Sequence, residues 1–168
     1  IDPVISCPVR AALIRNYTRN MAATDHPVSS RKNSWRDAEE MFRRFKDKPP
    51  FDTWQPAVLR DYCDYALRPA DEGELRQLAC DPINEANIYL NEKGMEGIFE
   101  ELEKIVTPVT LLRAPPGDPS EPYQGNSPTW TELASALPDC REIYLPQLNH
   151  FIPMQDPELV AEHIRAVG

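Results

Sequence analysis

The sequence predicts an α/β fold, in which short parallel strands are flanked by helices and a mainly helical segment is inserted ahead of them. Residues 107–167 alternate two apolar runs with two amphipathic helical patterns, in the order strand, helix, strand, helix. This order favours parallel strands joined by right-handed crossovers. Residues 25–105 carry helical periodicity almost throughout, so we expect them to lie outside the sheet.

The charge of the chain limits the classes of partner. Its 168 residues suit one domain and carry a formal net charge of −9. Nucleic acid and anionic membranes are disfavoured as partners, because phosphate binding requires clustered positive charge. A local basic set, Arg43, Arg44, Lys46 and Lys48, is interpreted as the solvated face of a helix. No apolar run approaches the ~18 residues of a membrane span.

The positions of the cysteines and histidines indicate the cellular compartment and whether a metal site is expected. The four cysteines are scattered and none has metal-site spacing, which favours a reducing compartment. We therefore expect an intracellular protein, in the cytoplasm, with the peroxisome left open. The three histidines have no nearby ligand pattern, so neither a metal nor another cofactor is expected.

The inserted segment is predicted to contain four helices, which are residues 34–48, 54–67, 81–91 and 95–105. Ser34 and Asp81 are expected to be N-caps, and Pro56 is expected in the first turn of the second helix. Ahead of this segment, residues 1–5 are interpreted as the end of a buried strand and residues 11–24 as a helix.

The last third is predicted from apolar runs and capping residues. Residues 107–114 and 141–148 are the expected strands. Ser127 is expected to cap a helix over residues 127–137. Asp156, followed by a proline, is expected to cap the final helix.

Two ionisable residues follow the predicted strands. Asp118 lies in the loop after the first strand, and His150 lies after the second. Ligands bind beyond the carboxyl ends of parallel strands, and adjacent strands are about 5 Å apart. An aspartate that accepts from an imidazole fixes its tautomer and stabilises its cationic form. The pattern therefore leaves two interpretations of His150, namely a general base oriented by an acid and a polar residue at the end of a strand.

Four stretches in this order, PVTLLRAPPGD, SALPDC, REIYLPQLNH and QDPELVAEHI, resemble the C-terminal end of an α/β-hydrolase. PPFDTWQP, RDYCDYALRP and LACDPINEANIY resemble the helical cap of epoxide-hydrolase-like members and related serine hydrolases. The resemblance implies three parts. Residues 1–24 would be the end of strand six and the connection to the cap, residues 25–105 the cap, and residues 106–168 the C-terminal part of the hydrolase core.

The resemblance does not decide which residue is the acid that orients His150, and it assigns no nucleophile within this sequence. Asp118 is favoured as the acid. Asp2 is the alternative, because in some members the acid follows strand six, and Glu121 ranks third. No G-x-S-x-G nucleophile elbow occurs in the sequence. We therefore expect the nucleophile to come from the upstream half of the same protein or from a complementary chain, and the isolated chain to be inactive.

The resemblance implies a hydrolase part that acts on a small-molecule substrate, namely an ester, an epoxide or a similar small apolar electrophile. His150 and Asp118 would supply base and acid. Five aromatic residues are candidates for the substrate pocket: Trp35, Trp54, Tyr62, Phe99 and Phe151. The alternative is a non-catalytic binding or interaction module that keeps this part of the fold.

Overall fold

The computed structural model describes residues 1–71, 73–91, 97–117 and 125–167. The chain divides into two compact units. The parallel-sheet unit consists of Ile1–Ala12, Thr53–Gln55 and Glu96–Gly168, and the antiparallel-sheet unit consists of Leu13–Asp52 and Pro56–Met95. The predicted division at residues 24 and 105 stays a prediction.

The described residues contain both helices and short strands. The α-helices in the described residues are α1 (Pro8–Thr18), α2 (Ala38–Phe45), α3 (Pro56–Tyr65), α4 (Pro82–Leu90), α5 (Ile98–Leu102), α6 (Ile152–Gln155) and α7 (Pro157–Val167). The strands are β1 (Ser34–Trp35), β2 (Leu67–Pro69), β3 (Arg76–Leu78), β4 (Val109–Arg113) and β5 (Cys140–Tyr144). No helix within the described ranges is long and apolar enough to cross a membrane.

The parallel-sheet unit is built on β4 and β5, which pair in parallel from Val109↔Cys140 to Arg113↔Tyr144. This confirms both predicted strands and their direction. Neighbouring residues of a strand point to opposite faces, and β4 accordingly contributes to two cores. Leu112 packs with Ile152 of α6 and Val160 of α7, while Leu111 packs with Leu102 of α5. The result is a sheet between helices, as the sequence predicts.

Capping residues mark where the helices begin. The Asp156 carboxylate accepts from the Leu159 N–H at 3.0 Å, and the Asp81 carboxylate accepts from the Ile83 N–H at 2.8 Å. Both are the predicted N-caps, and Pro56 opens α3 as expected. The predicted cap Ser34 is wrong. It lies in β1, and α2 is instead capped by Asp37, whose carboxylate accepts from the Glu40 N–H at 2.7 Å.

The antiparallel-sheet unit contains a small sheet that the sequence analysis does not predict. Its strand order is β1-β3-β2, and both pairings are antiparallel. The strands have only two or three residues, which is too short for an alternating pattern to show. Asn33 supports the sheet, since its side-chain oxygen accepts from the Leu78 N–H at 3.0 Å.

Several predicted boundaries are wrong. Helix α1 begins at Pro8 and ends at Thr18, so the predicted helix over residues 11–24 is displaced towards the N-terminus. Residues 127–137 contain only a short 3-10 turn, Ala134–Ala136. Residues 1–5 form no strand, although the Asp2 N–H donates to Leu112 O of β4 at 2.7 Å.

Candidate functional site

The predicted base, His150, follows β5 and precedes α6. Its Nδ1 atom lies 2.8 Å from Oδ2 of Asp2, and 23% of its side chain is exposed. The sequence analysis names Asp2 as the alternative acid. The favoured acid, Asp118, and the third candidate, Glu121, lie outside the described residues.

Asp2 is buried and heavily hydrogen-bonded. It is 1% exposed. While Oδ2 faces His150, Oδ1 accepts from the Ala114 N–H at 3.1 Å and from Ser127 Oγ at 2.7 Å. Its φ of 39° lies in the left-handed region, which is unfavourable for residues other than glycine but is tolerated best by asparagine and aspartate. Backbone and carboxylate are therefore both fixed by long-range contacts.

Ser127 and Thr129 form a hydroxyl pair beside Asp2, and both are buried. Ser127 Oγ donates to the Asp2 carboxylate and accepts from the Thr129 N–H at 3.1 Å. Thr129 Oγ1 lies 2.6 Å from Pro3 O and 3.2 Å from Asp2 Oδ1. Because a hydroxyl has one proton, the shorter contact to Pro3 O is its main hydrogen bond.

These contacts explain why Ser127 is not the predicted helix cap. Its proton is engaged by a buried carboxylate, and no α-helix begins at this position. A serine before a proline and an apolar stretch is a normal capping pattern. No local signal in the sequence indicates that the hydroxyl instead binds a side chain 125 positions earlier.

The protonation of the pair follows from the surroundings of Asp2. Burial raises the pKa of its carboxyl, but hydrogen bonds from His150, Ser127 and the Ala114 N–H outweigh this and hold the pKa below its ordinary value. An ionised carboxylate can only accept hydrogen bonds. The proton between the two side chains therefore belongs to Nδ1 of His150, and in the neutral ring Nε2 carries the free lone pair.

The backbone around His150 is also held by hydrogen bonds. The His150 N–H donates to Gly125 O at 2.6 Å, and the Asn149 side-chain oxygen accepts from the Phe151 N–H at 2.9 Å. Gly125 has a φ of 84°, and a Cβ there would lie 3.1 Å from the Asn149 side chain. A glycine is therefore favoured both by conformation and by space.

One of the five predicted pocket residues, Phe151, contacts the imidazole, and a second, Trp54, packs against Phe151. The Phe151 ring meets the His150 ring edge-on at 5.4 Å between centroids, and Trp54 lies 5.4 Å from Phe151. Phe99 packs edge-on against Trp130 in the core around Leu111.

Trp35 and Tyr62 belong to the antiparallel-sheet unit. There, Trp35 is buried against Phe45, and Tyr62 stacks on Phe51. Both rings thus have packing partners within that unit, and their predicted role in a pocket stays a prediction. Within the described ranges, no three histidine, cysteine, aspartate or glutamate residues form a group that could hold a metal ion.

Comparisons with known proteins bear on the fold. No family model matches the sequence, and no curated protein matches it. Two solved structures are similar. The peroxisomal alpha-beta-hydrolase Lpx1 of Saccharomyces cerevisiae is 11% identical with a TM-score of 0.61. The E-2-(acetamidomethylene)succinate hydrolase is 14% identical with a TM-score of 0.57.

Each similarity covers 90% of this chain, but 38% and 51% of the respective neighbours. The chain thus spans about half of the neighbours' length or less. Its α/β architecture, with parallel strands and flanking helices, is that of the corresponding part of an α/β-hydrolase, which confirms the predicted fold class.

Proposed function

We propose that this chain supplies the acid–base part of a hydrolase, with His150 as the general base and Asp2 as the acid that orients it. The observation that carries the proposal is the 2.8 Å contact between His150 Nδ1 and Asp2 Oδ2, in which the aspartate is buried and held by further donors. This geometry favours Asp2 over Asp118, reversing the preference drawn from the sequence.

The arrangement suits proton transfer at Nε2. With its proton on Nδ1, the neutral ring can accept a proton from an attacking hydroxyl or water through Nε2. The ionised Asp2 then stabilises the imidazolium that forms, and remains ionised itself. When His150 returns the proton to the leaving group, the pair is restored for the next step.

The nucleophile would come from outside these residues, in the upstream half of the same protein or in a complementary chain, because the sequence contains no G-x-S-x-G elbow. The substrate would be an ester, an epoxide or a similar small apolar electrophile. Phe151 and Trp54 support an apolar site, since the Phe151 ring lies next to the base and the Trp54 ring packs against Phe151.

The test is a hydrolysis assay of the protein expressed with all residues encoded upstream, on p-nitrophenyl esters and styrene oxide. We expect activity that is lost on His150→Ala and retained on His163→Ala, a matched control on α7. Full activity of the His150→Ala variant would refute the assignment. Absence of activity in the complete protein, with specific binding of the same substrates, would favour a binding module.

A further inference from the structure

A groove of about 470 Å³ lies on the antiparallel-sheet unit, away in sequence from His150 and Asp2. We call it the basic groove. Its lining residues are Lys32, Arg36, Glu40, Arg43, Arg44, Asp47 and Lys48. Five cations and two carboxylates leave a formal charge of about +3 in a chain whose net charge is −9. The groove is therefore a local reversal of the overall charge.

Part of the basic groove is ordered by contacts between its own residues. Glu40 forms ion pairs with Lys32 and Arg36, and it accepts from the Arg36 N–H at 2.8 Å. The hydrogen bond from Lys32 is the main reason that the pKa of Glu40 is lowered to about 2, with help from the Arg36 N–H. Lys32 Nζ also lies 4.2 Å from the centroid of the Trp35 ring. These two cations are held in place without a ligand.

The groove also contains Arg44, Lys48 and the carboxylate of Asp47, which pairs with Lys46 at 3.5 Å. In the part of the chain that the structure describes, the Arg44 and Lys48 side chains form neither an ion pair nor a hydrogen bond, while Arg43 pairs with Glu39 at 3.5 Å. Arg44 lies in α2 and Lys48 in the turn that follows it. Both are exposed, so their positive charges are available to a ligand.

We propose that the basic groove binds a small molecule that carries at least two phosphate groups. Arginine recognises phosphate through paired N–H donors, and lysine adds a point charge. The groove offers three arginines and two lysines, and its formal charge of about +3 suits more than one phosphate group. Its volume falls within the range of small-molecule sites, roughly 300–1,000 Å³.

The charge distribution favours a compact ligand over a nucleic acid. A long polyanion would extend beyond the groove, and the net charge of −9 would repel the part outside it. The sequence-based interpretation of Arg43, Arg44, Lys46 and Lys48 as a solvated face is thereby refined, since three of the four line one groove and Lys46 does not.

Isothermal titration calorimetry of the whole chain with inorganic tripolyphosphate at low salt tests the proposal. We expect one site that weakens as salt is added. Arg44→Ala and Lys48→Ala should each weaken binding about fivefold or more. Arg19→Ala, which removes an exposed cation of the same unit outside the groove, should stay within about twofold.

The Glu40→Gln variant is expected to change the binding affinity in the opposite direction. It removes a competing negative charge but keeps an oxygen acceptor, so binding should become a few fold tighter. The proposal is overturned if the wild-type chain does not bind tripolyphosphate, if Arg19→Ala weakens binding as much as Lys48→Ala, or if single-stranded DNA binds more tightly than tripolyphosphate.

Discussion

His150 and Asp2 are 148 positions apart in the sequence, yet Nδ1 of one lies 2.8 Å from Oδ2 of the other. The contact joins the segment before α1 to the loop after β5. It is supported at the other carboxylate oxygen by the Ala114 N–H, directly after β4, and by Ser127. The pair is thus anchored to the loops that follow both strands of the parallel sheet.

The identity of the acid can be decided by paired substitutions in the complete protein. Asp2→Asn keeps the size of the side chain but removes its charge, and we expect kcat to fall by about 10²–10⁴-fold. Asp118→Asn should leave kcat within a few fold of the wild type. Steady-state kinetics on the best ester or epoxide give both values. The opposite ranking, with Asp118→Asn the damaging change, would restore Asp118 as the acid.

Ser127 is expected to act as a positioning residue for Asp2. Ser127→Ala removes a buried donor to an ionised carboxylate, which should cost about 1.5–3 kcal/mol of the free energy of unfolding. We also expect a lower kcat with little change in KM, because the carboxylate would hold the imidazole less firmly. The control is Ser30→Ala, which removes an exposed hydroxyl and should change neither the free energy of unfolding nor kcat. An unchanged kcat in Ser127→Ala would contradict the positioning role.

The low pKa of Asp2 predicts a pH dependence of stability. The native pKa lies below the ordinary value of 3.8. The unfolded state therefore binds the proton first, and the stabilisation by ionised Asp2 is present above this value and is lost as the pH falls through the lower native pKa. In urea unfolding from about pH 5 downward, wild type should lose stability more steeply than Asp2→Asn. Parallel curves would contradict this.

Gly125 and Gly73 form a matched pair for testing the loop that holds His150. Both have positive φ, 84° and 79°, but a Cβ at Gly125 would lie 3.1 Å from Asn149, whereas a Cβ at Gly73 meets nothing within 4 Å. Gly73→Ala should cost only the backbone strain, about 1–2 kcal/mol. Gly125→Ala should cost more in chemical denaturation. Equal losses would show that the contact with Asn149 is unimportant.

The sequence predicts best what local residues determine. The apolar runs of β4 and β5, and the aspartate–proline starts of α4 and α7, are local signals, and the structure confirms them. The base could be proposed from the sequence as well, because His150 has the position of the histidine in the α/β-hydrolase pattern, after the second predicted strand and ahead of the final helix.

Long-range contacts account for what could not be predicted. Ser127 has the pattern of a cap, but its partner is a carboxylate at the other end of the chain. Ser34 likewise pairs with Gln77 in a sheet whose strands are too short to leave a periodic pattern. Asp2 contacts His150 from a segment whose backbone is hydrogen-bonded to Leu112, and no local sequence pattern predicts either contact.

The central claim, that Asp2 holds the His150 proton on Nδ1, can be measured directly by ¹⁵N NMR of the imidazole. In the neutral ring we predict the Nδ1–H tautomer with an unprotonated Nε2. Asp2→Asn should shift the ring towards the Nε2–H tautomer, since the asparagine amide can donate to Nδ1. A wild-type ring that carries its proton on Nε2, or a tautomer unchanged by Asp2→Asn, would contradict the account.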